Sequence, residues 1–280
     1  MKKIPAPAVV SIAVGLTVFL MSVSSVADET KCTVRVAATY SMSNRVDVWA
    51  RGFMDQHPDC SVVVTGTSTN AAVQSLLDGS VDLCFAGRKI SVQERKAASD
   101  KGVTLGERLI LRDGIAVITH PRLPVEEVTV EQVGKMFSGQ YANWAQVGGP
   151  NLPITIWATN PEHSSTAEIF QDQVLKGASM AHTARLVARL KYVIENVSRT
   201  EGSIGYISYL YLIDNRGPDT RVVKILKTKK DQGSDAVAPS QDTIKAGTYP
   251  LVKAVHCYWQ EGPGREWVKR FVEFFQPGLM

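Results

Sequence analysis

Several sequence signatures of common enzymes and metal sites are missing from this 280-residue chain. It contains no G-x-S-x-G elbow, no H-E-x-x-H pair and no paired C-x-x-C, which are local motifs of serine hydrolases and zinc sites. It also contains no internal repeat and no low-complexity segment. The sequence therefore predicts neither an enzyme nor a metal-binding protein, and no cofactor is expected.

The chain also lacks a large excess of positive or negative charge. The chain has 31 basic and 27 acidic side chains, a formal net charge of +4. That balance is too mild to favour nucleic acid or an anionic membrane as a partner. We expect an ordinary globular protein that does not bind nucleic acid and that is a monomer.

Long apolar runs are limited to Val9–Val23 near the start of the chain, and this run is too short to span a bilayer comfortably. Lys2 and Lys3 precede it, and the small residues Ser25-Val26-Ala27 follow it. This is the pattern of a secretory signal peptide. We therefore predict a signal peptide over residues 1–27 and a soluble mature protein in the periplasm.

Cysteine is scarce, with four residues in the chain. In an oxidising compartment disulfides are more common than metal ligation, and four cysteines allow three full pairings. Cys32 and Cys60 each precede a predicted strand, so a Cys32–Cys60 bond is expected if these strands are parallel neighbours. Cys84 and Cys257 would then either pair or remain buried thiols.

Strand and helix patterns alternate along the chain, which predicts an α/β protein with largely parallel sheets. The chain leaves a first lobe after the predicted strand Gly114–Thr119, at His120-Pro121, and returns through Pro250–Cys257. Two connections between lobes are what a hinged clamshell requires. We predict lobe 1 from residues 28–121 and 249–280, and lobe 2 from residues 122–248.

Hydroxyl side chains follow three of the predicted strands, each time at the start of a helix. Ser and Thr are favoured at helix N-termini in any protein, so one such turn indicates only a helix start. Three turns at corresponding places favour a ligand site, because ligands of open α/β sheets bind beyond the carboxyl ends of strands. Backbone N–H groups and helix dipoles there favour an anion. The residues are Ser41 and Ser43; Ser68 and Thr69; and Ser164, Ser165 and Thr166.

Five segments in a fixed order carry a family resemblance, and they cover nearly the whole mature chain. They are Gly66–Asp82, Asp113–Pro121, Val130–Phe170, Gly202–Tyr206 and Tyr249–Leu251. In their order and residue patterns these segments resemble periplasmic phosphate-binding proteins, the solute receptors of phosphate ABC importers. The resemblance implies a two-lobed periplasmic-binding-protein clamshell with two interlobe crossovers. It also implies non-covalent capture of phosphate or a related oxyanion, delivered to the permease subunits of an ABC importer.

The same resemblance assigns roles to individual residues. It places Ser41, Thr69, Ser165 and Thr166 at anion-contacting turns, with Ser164 close by. Arg88 resembles an arginine in the family's loop after the third strand, and a guanidinium can bind a phosphate bidentately. We therefore predict that Arg88→Ala weakens anion binding without unfolding the protein.

Two departures from the family pattern leave the anion open. Ala167 stands where the family has an arginine, and Gly87-Arg88 stands where many phosphate receptors carry a proton-accepting aspartate. The ligand could be phosphate, another oxyanion or an organic anion. Because a fold alone does not fix function, the alternative is a sensory or protein-interaction clamshell without tight phosphate binding.

Overall fold

Helices and strands alternate along the computed structural model, which describes residues 32–214 and 222–275. A short π-helical turn, Gln171–Leu175, extends the fifth helix. In chain order the elements are β1 (Cys32–Thr39), α1 (Ser43–Gln56), β2 (Cys60–Thr67), α2 (Thr69–Leu77), β3 (Leu83–Ala86), α3 (Val92–Asp100), β4 (Leu105–Thr119), β5 (Glu127–Thr129), α4 (Val130–Phe137), β6 (Thr155–Thr159), α5 (Ser165–Phe170), β7 (Arg185–Val187), α6 (Leu190–Arg199), β8 (Ser203–Ser208), α7 (Tyr209–Asp214), β9 (Lys224–Ile225), β10 (Lys227–Lys229), α8 (Gln241–Ala246), β11 (Val252–Gln260) and α9 (Glu266–Phe274).

The strands form one continuous mixed sheet in the order β2-β1-β3-β11-β4-β8-β6-β7, with β9 paired to β4. The pairs β1–β2, β1–β3, β6–β7 and β6–β8 are parallel. The pairs made by β4 and β11 with their neighbours are antiparallel. A separate parallel pair joins β5 and β10. The α/β class with mainly parallel sheets, predicted from the sequence, is confirmed.

The long strand β4 belongs to both halves of this sheet. Its first part pairs with β11 as far as Gly114, and its last part, Ile115–Thr119, pairs with β8. The sequence predicted only Gly114–Thr119 as strand, because the charged residues before it hide a half-exposed pattern. We use lobe 1 for the elements around β1, β2, β3 and β11, and lobe 2 for those around β6, β7 and β8.

Each lobe has its own apolar core. In lobe 1 the buried rings of Phe53 and Phe271 meet edge to face, 5.1 Å between centroids. In lobe 2 Phe170 stacks on Tyr206 with centroids 3.9 Å apart, and Phe137 packs on both. The chain passes between the cores within β4 and again just before β11, where Ile115 N donates to Leu251 O over 2.8 Å. The two-lobed clamshell with two crossovers is confirmed, whereas its residue boundaries stay a prediction.

The structure shows which of the four cysteines form a disulfide bond. Cys32 and Cys60 face each other in the parallel β1–β2 register and form a disulfide, as expected. Cys84 and Cys257 are buried free thiols, so the pairing considered for them is wrong. Along β3 and β11, Cys84 lies opposite Tyr258 and Cys257 opposite Phe85. Since side chains alternate between the faces of a sheet, the two sulfurs point to opposite faces.

No helix within residues 32–214 and 222–275 is both long enough and apolar enough to cross a membrane. The predicted signal peptide lies outside these residues. Its cleavage therefore stays a prediction.

Candidate anion-binding cleft

A cavity of about 210 Å³ lies between the lobes, at the carboxyl ends of β1 and β6. This is the edge where ligands of open α/β sheets bind. Its lining residues are Thr39, Tyr40, Ser41, Ser43, Asn44, Thr159, His163, Ser164, Ser165, Thr166, Ala188, Arg189, Leu190, Lys191 and Tyr211.

The lobe 1 wall is the turn that joins β1 to α1. Ser41 is buried, and its Oγ accepts a hydrogen bond from the Lys253 ammonium over 3.2 Å. A lysine ammonium has donors only, so this bond occupies a lone pair of Ser41 and leaves its O–H to donate elsewhere. Ser43 Oγ donates to Tyr40 O over 3.3 Å at the start of α1. The turn therefore holds a hydroxyl that is set up to donate into the cleft.

The lobe 2 wall is the turn that joins β6 to α5. Ser164 caps α5 by accepting from Ala167 N over 3.3 Å. Ser165 and Thr166 follow it and are buried, and Ser165 Oγ lies 3.2 Å from Thr39 Oγ1 across the cleft. Thr159 Oγ1, at the end of β6, is buried and has no hydrogen-bond partner within the described part of the chain. A buried unpaired hydroxyl is costly, which favours a polar ligand beside it.

Cations enter the cleft from a third turn that the sequence analysis missed. β7 runs parallel to β6 with Val187 opposite Thr159, so both strands end at one edge. The next residues, Arg189 and Lys191, lie at the start of α6, and the Arg189 guanidinium is 5.5 Å from the centroid of the Tyr40 ring. β7 has three residues and no hydroxyl turn. The rule that ligands bind beyond the carboxyl ends of strands, the strand-end rule, would have pointed to this turn only if β7 had been recognised as a strand from the sequence.

A buried ion pair lies beneath the cleft. Lys253 on β11 and Asp113 on β4 have fully buried side chains, with Nζ 3.1 Å from Oδ2. Asp113 also accepts from Ser208 Oγ over 2.7 Å and from Leu210 N over 3.0 Å. Because the Lys253 ammonium reaches Ser41 as well, it joins the interlobe strands to the floor of the cleft. The sequence reasoning did not find either residue, since each reads as an ordinary polar position in a strand.

Five of the eight candidate ligand residues from the sequence line the cleft. They are Ser41, Ser43, Ser164, Ser165 and Thr166. Whether they contact a ligand stays a prediction.

The other three candidates, Ser68, Thr69 and Arg88, do not line it. Ser68 caps α2 by accepting from Ala71 N, and Thr69 Oγ1 accepts from Gly87 N over 3.0 Å. Two of the three predicted hydroxyl turns therefore line this cavity, and the hydroxyls of the other turn bind backbone N–H groups of lobe 1. Whether Ser68 or Thr69 contacts a ligand stays a prediction.

Arg88 lies outside the lining of this cavity, so its assignment as an anion ligand stays a prediction. Its guanidinium makes two hydrogen bonds to Glu94 of α3, at 2.8 and 2.9 Å, and another to Asn70. Its Nε lies 2.8 Å from Glu168 Oε1 of α5, in lobe 2. The guanidinium is therefore occupied by carboxylates of both lobes and is an interlobe contact rather than a wall of the cavity.

The two carboxylates that share Arg88 have opposite pKa shifts. Burial alone would raise the pKa of Glu94, but the hydrogen bonds from Arg88 and Ser91 outweigh it and hold this pKa below its ordinary value. Burial dominates at Glu168, and its pKa lies above the ordinary value despite the nearby guanidinium. Glu94 is thus the firm partner of Arg88 and Glu168 the weaker one.

Two lobes, two strand crossovers and a hydroxyl-lined cavity between them define a clamshell of the periplasmic-binding type. A family model described as the PBP superfamily domain matches residues 24–277. The chain therefore belongs to the PBP superfamily.

Individual proteins with similar sequences or structures are mainly phosphate-binding proteins by name. Protein SphX of Synechococcus elongatus is 27% identical over 234 residues, covering 81% of this chain and 68% of that protein. Phosphate-binding protein PstS of Staphylococcus saprophyticus is 26% identical over 212 residues, covering 75% of this chain and 64% of that protein. A solved structure from Clostridium perfringens with bound phosphate has a TM-score of 0.73 at 24% identity, covering 86% of this chain and 92% of the other. The chain thus spans about two thirds of the length of these two sequence relatives.

Proposed function

We propose that this chain is a non-catalytic receptor that captures phosphate or a related oxyanion in the interlobe cleft. The observation that carries the proposal is the composition of the cavity: buried hydroxyls from both lobes face it, and two cations lie at its rim. The name of the PstS relative and the phosphate in the Clostridium perfringens structure support the choice of anion.

The mechanism follows from where the hydroxyls are attached. Ser41 is held by lobe 1, whereas Ser165 and Thr166 belong to lobe 2. An anion that accepts hydrogen bonds from both lobes binds the closed form better than the open one, and this differential affinity shifts the equilibrium towards closure. Closure of this kind needs no covalent step and no cofactor.

The cellular setting belongs to the same proposal. An exported protein of this class would be released into the periplasm after Ala27 and would present its closed form to the permease subunits of an ABC importer. We assign residues 28–121 and 249–280 to lobe 1 and residues 122–248 to lobe 2, as the sequence predicts.

Calorimetric titration of the mature chain with phosphate tests the proposal, after bound ligand has been removed by unfolding and refolding. We expect a saturable heat with a stoichiometry of one anion per chain. Arg189→Ala should weaken binding roughly tenfold, because a hydrogen bond to a charged group contributes about 1.5–3 kcal/mol and this side chain is partly screened by solvent.

Arg185→Ala is the matched control for Arg189→Ala. Arg185 is also exposed and also lies over an aromatic ring, 5.1 Å from Trp157, but it does not line the cavity. Its removal should leave the affinity unchanged. No heat with any inorganic oxyanion would contradict the proposal and would favour the sensory or protein-interaction alternative.

A further inference from the structure

The polar lining of the cleft consists of donors and of groups that can act as donors. Hydroxyls make up most of it, Arg189 and Lys191 add cations, and no aspartate or glutamate lines the cavity within the described residues. For a site that holds an oxyanion, the missing element among the side chains is a carboxylate, which can only accept a hydrogen bond when it is ionised.

Glu162 precedes the lining residue His163 but does not itself line the cavity. Two other carboxylates near the cleft are already engaged. Asp113 lies against Lys253 under the floor and accepts from Ser208 and from the backbone of Leu210. Glu168 faces the Arg88 guanidinium outside the cavity. Neither of them lines the space where an anion would be held.

This lining bears on the chemical difference between phosphate and sulfate. Both are tetrahedral oxyanions, but at neutral pH phosphate carries at least one proton and sulfate carries none. A carboxylate has lone pairs only, so a buried one accepts the phosphate proton and repels the corresponding oxygen of sulfate. A Ser or Thr hydroxyl rotates, accepts from phosphate in one orientation and donates to sulfate in the other.

Thr159 carries a hydroxyl that is free to rotate between donating and accepting a hydrogen bond. Thr159 lines the cavity, and its buried Oγ1 has no hydrogen-bond partner among residues 32–214 and 222–275. Ser41 has the opposite bias, because the Lys253 ammonium already occupies a lone pair of its Oγ and its O–H is left to donate. A donor aimed into the cleft suits an unprotonated oxygen of either anion.

We propose that the cleft recognises tetrahedral oxyanions without a carboxylate, through cations, hydroxyls and other side chains that can donate, and that it therefore binds sulfate within about tenfold of phosphate. This inference rests on the proposed function and narrows its substrate class to inorganic tetrahedral oxyanions, irrespective of whether they carry a proton.

The test is a pair of calorimetric titrations of the ligand-stripped mature chain in Tris chloride at pH 7.5, one with phosphate and one with sulfate. We expect the two dissociation constants to agree within about tenfold, and sulfate to displace bound phosphate in competition. A preference for phosphate of a thousandfold or more would overturn the inference while supporting the proposed function. Binding of neither anion would overturn both.

A second measurement installs the missing acceptor. Thr159→Asp places an acceptor-only group at the cleft, and Thr159→Asn, of the same shape, places a group that both donates and accepts. We expect the aspartate variant to lose sulfate about a hundredfold more than phosphate, and the asparagine variant to change both anions alike. Equal loss of the two anions in a folded Thr159→Asp protein would also overturn the inference; if that variant does not fold, the wild-type ratio decides.

Discussion

Replacing Lys253 by methionine tests the buried ion pair beneath the cleft. The ammonium and the Asp113 carboxylate are fully buried and 3.1 Å apart, and methionine has a similar length but no charge. Removing one partner of a buried pair leaves the other as an uncompensated charge, which costs about 3–5 kcal/mol. We therefore expect Lys253→Met to lower the free energy of unfolding by about that amount.

The assay is urea unfolding of the mature chain, followed both by circular dichroism and by tryptophan fluorescence. Two probes are needed because a two-lobed protein need not unfold in one step. The double variant Lys253→Met/Asp113→Asn keeps a neutral acceptor for Leu210 N and removes the stranded charge, so it should recover at least half of the loss. A single-variant loss below about 1 kcal/mol, or a double variant no better than Lys253→Met, would refute the reasoning.

Three further predictions concern the cleft edge, the disulfide and the shared carboxylates. Gly87→Ala would place a methyl carbon 2.6 Å from a side-chain carbon of lobe 2, so it should oppose closure and weaken phosphate binding about tenfold with little change in stability. Replacing Cys32 and Cys60 by serine opens a loop with a sequence separation of 28 and should lower the free energy of unfolding by about 3–4 kcal/mol. Glu94→Gln should lower stability at pH 7 by up to about 1 kcal/mol, whereas Glu168→Gln should leave it unchanged or slightly higher.

The pH dependence of the two carboxylates follows from the signs of their shifts. The pKa of Glu168 is raised, so its contribution to stability is complete below pH 4.5 and is lost as the pH rises through the shifted pKa. The pKa of Glu94 is lowered, so its contribution is present above pH 4.5 and is lost as the pH falls. Unfolding curves of both glutamine variants between pH 4 and 7 measure these contributions, and equal effects at pH 7 would contradict the assignment.

Matched control variants distinguish these specific effects from a general loss of stability or binding caused by any substitution. Gly233→Ala adds a methyl group with no heavy atom nearer than 3.7 Å at a position that does not line the cleft, and it should leave phosphate affinity unchanged. Cys84→Ser changes a buried free thiol, so it separates the loss of a sulfur atom from the loss of a covalent link. An unchanged affinity in Gly87→Ala would show that the lobes need not approach at this point.

The parts of the cleft that the sequence predicted are those governed by local rules. Ser41, Ser164 and Ser165 follow strands and begin helices, and both properties can be recognised within about ten residues of chain. The strand-end rule then places these turns at one edge of the sheet without any knowledge of tertiary contacts.

The parts that the sequence could not predict depend on contacts between distant segments. Arg88 has the residue type of an anion ligand, but its charge is satisfied by Glu94 and by Glu168, and the second partner comes from another lobe. Arg189 enters the cleft because a strand of three residues brings it there. Lys253 is the only lysine or arginine of β11, and its pairing with Asp113 explains its burial.

The pairing of β4 with β11 determines how the clamshell can move. Their antiparallel ladder reaches Gly114 and Val252, where the chain crosses between the lobes. The Lys253–Asp113 pair lies one register step away, because Lys253 and Asp113 are themselves opposite each other. The pivot is therefore a two-stranded ribbon with a side-chain clamp, which resists twisting more than two separate loops would. We expect this pivot to favour opening and closing of the lobes over twisting, and a substitution that releases the clamp to make the motion less directional as well as easier.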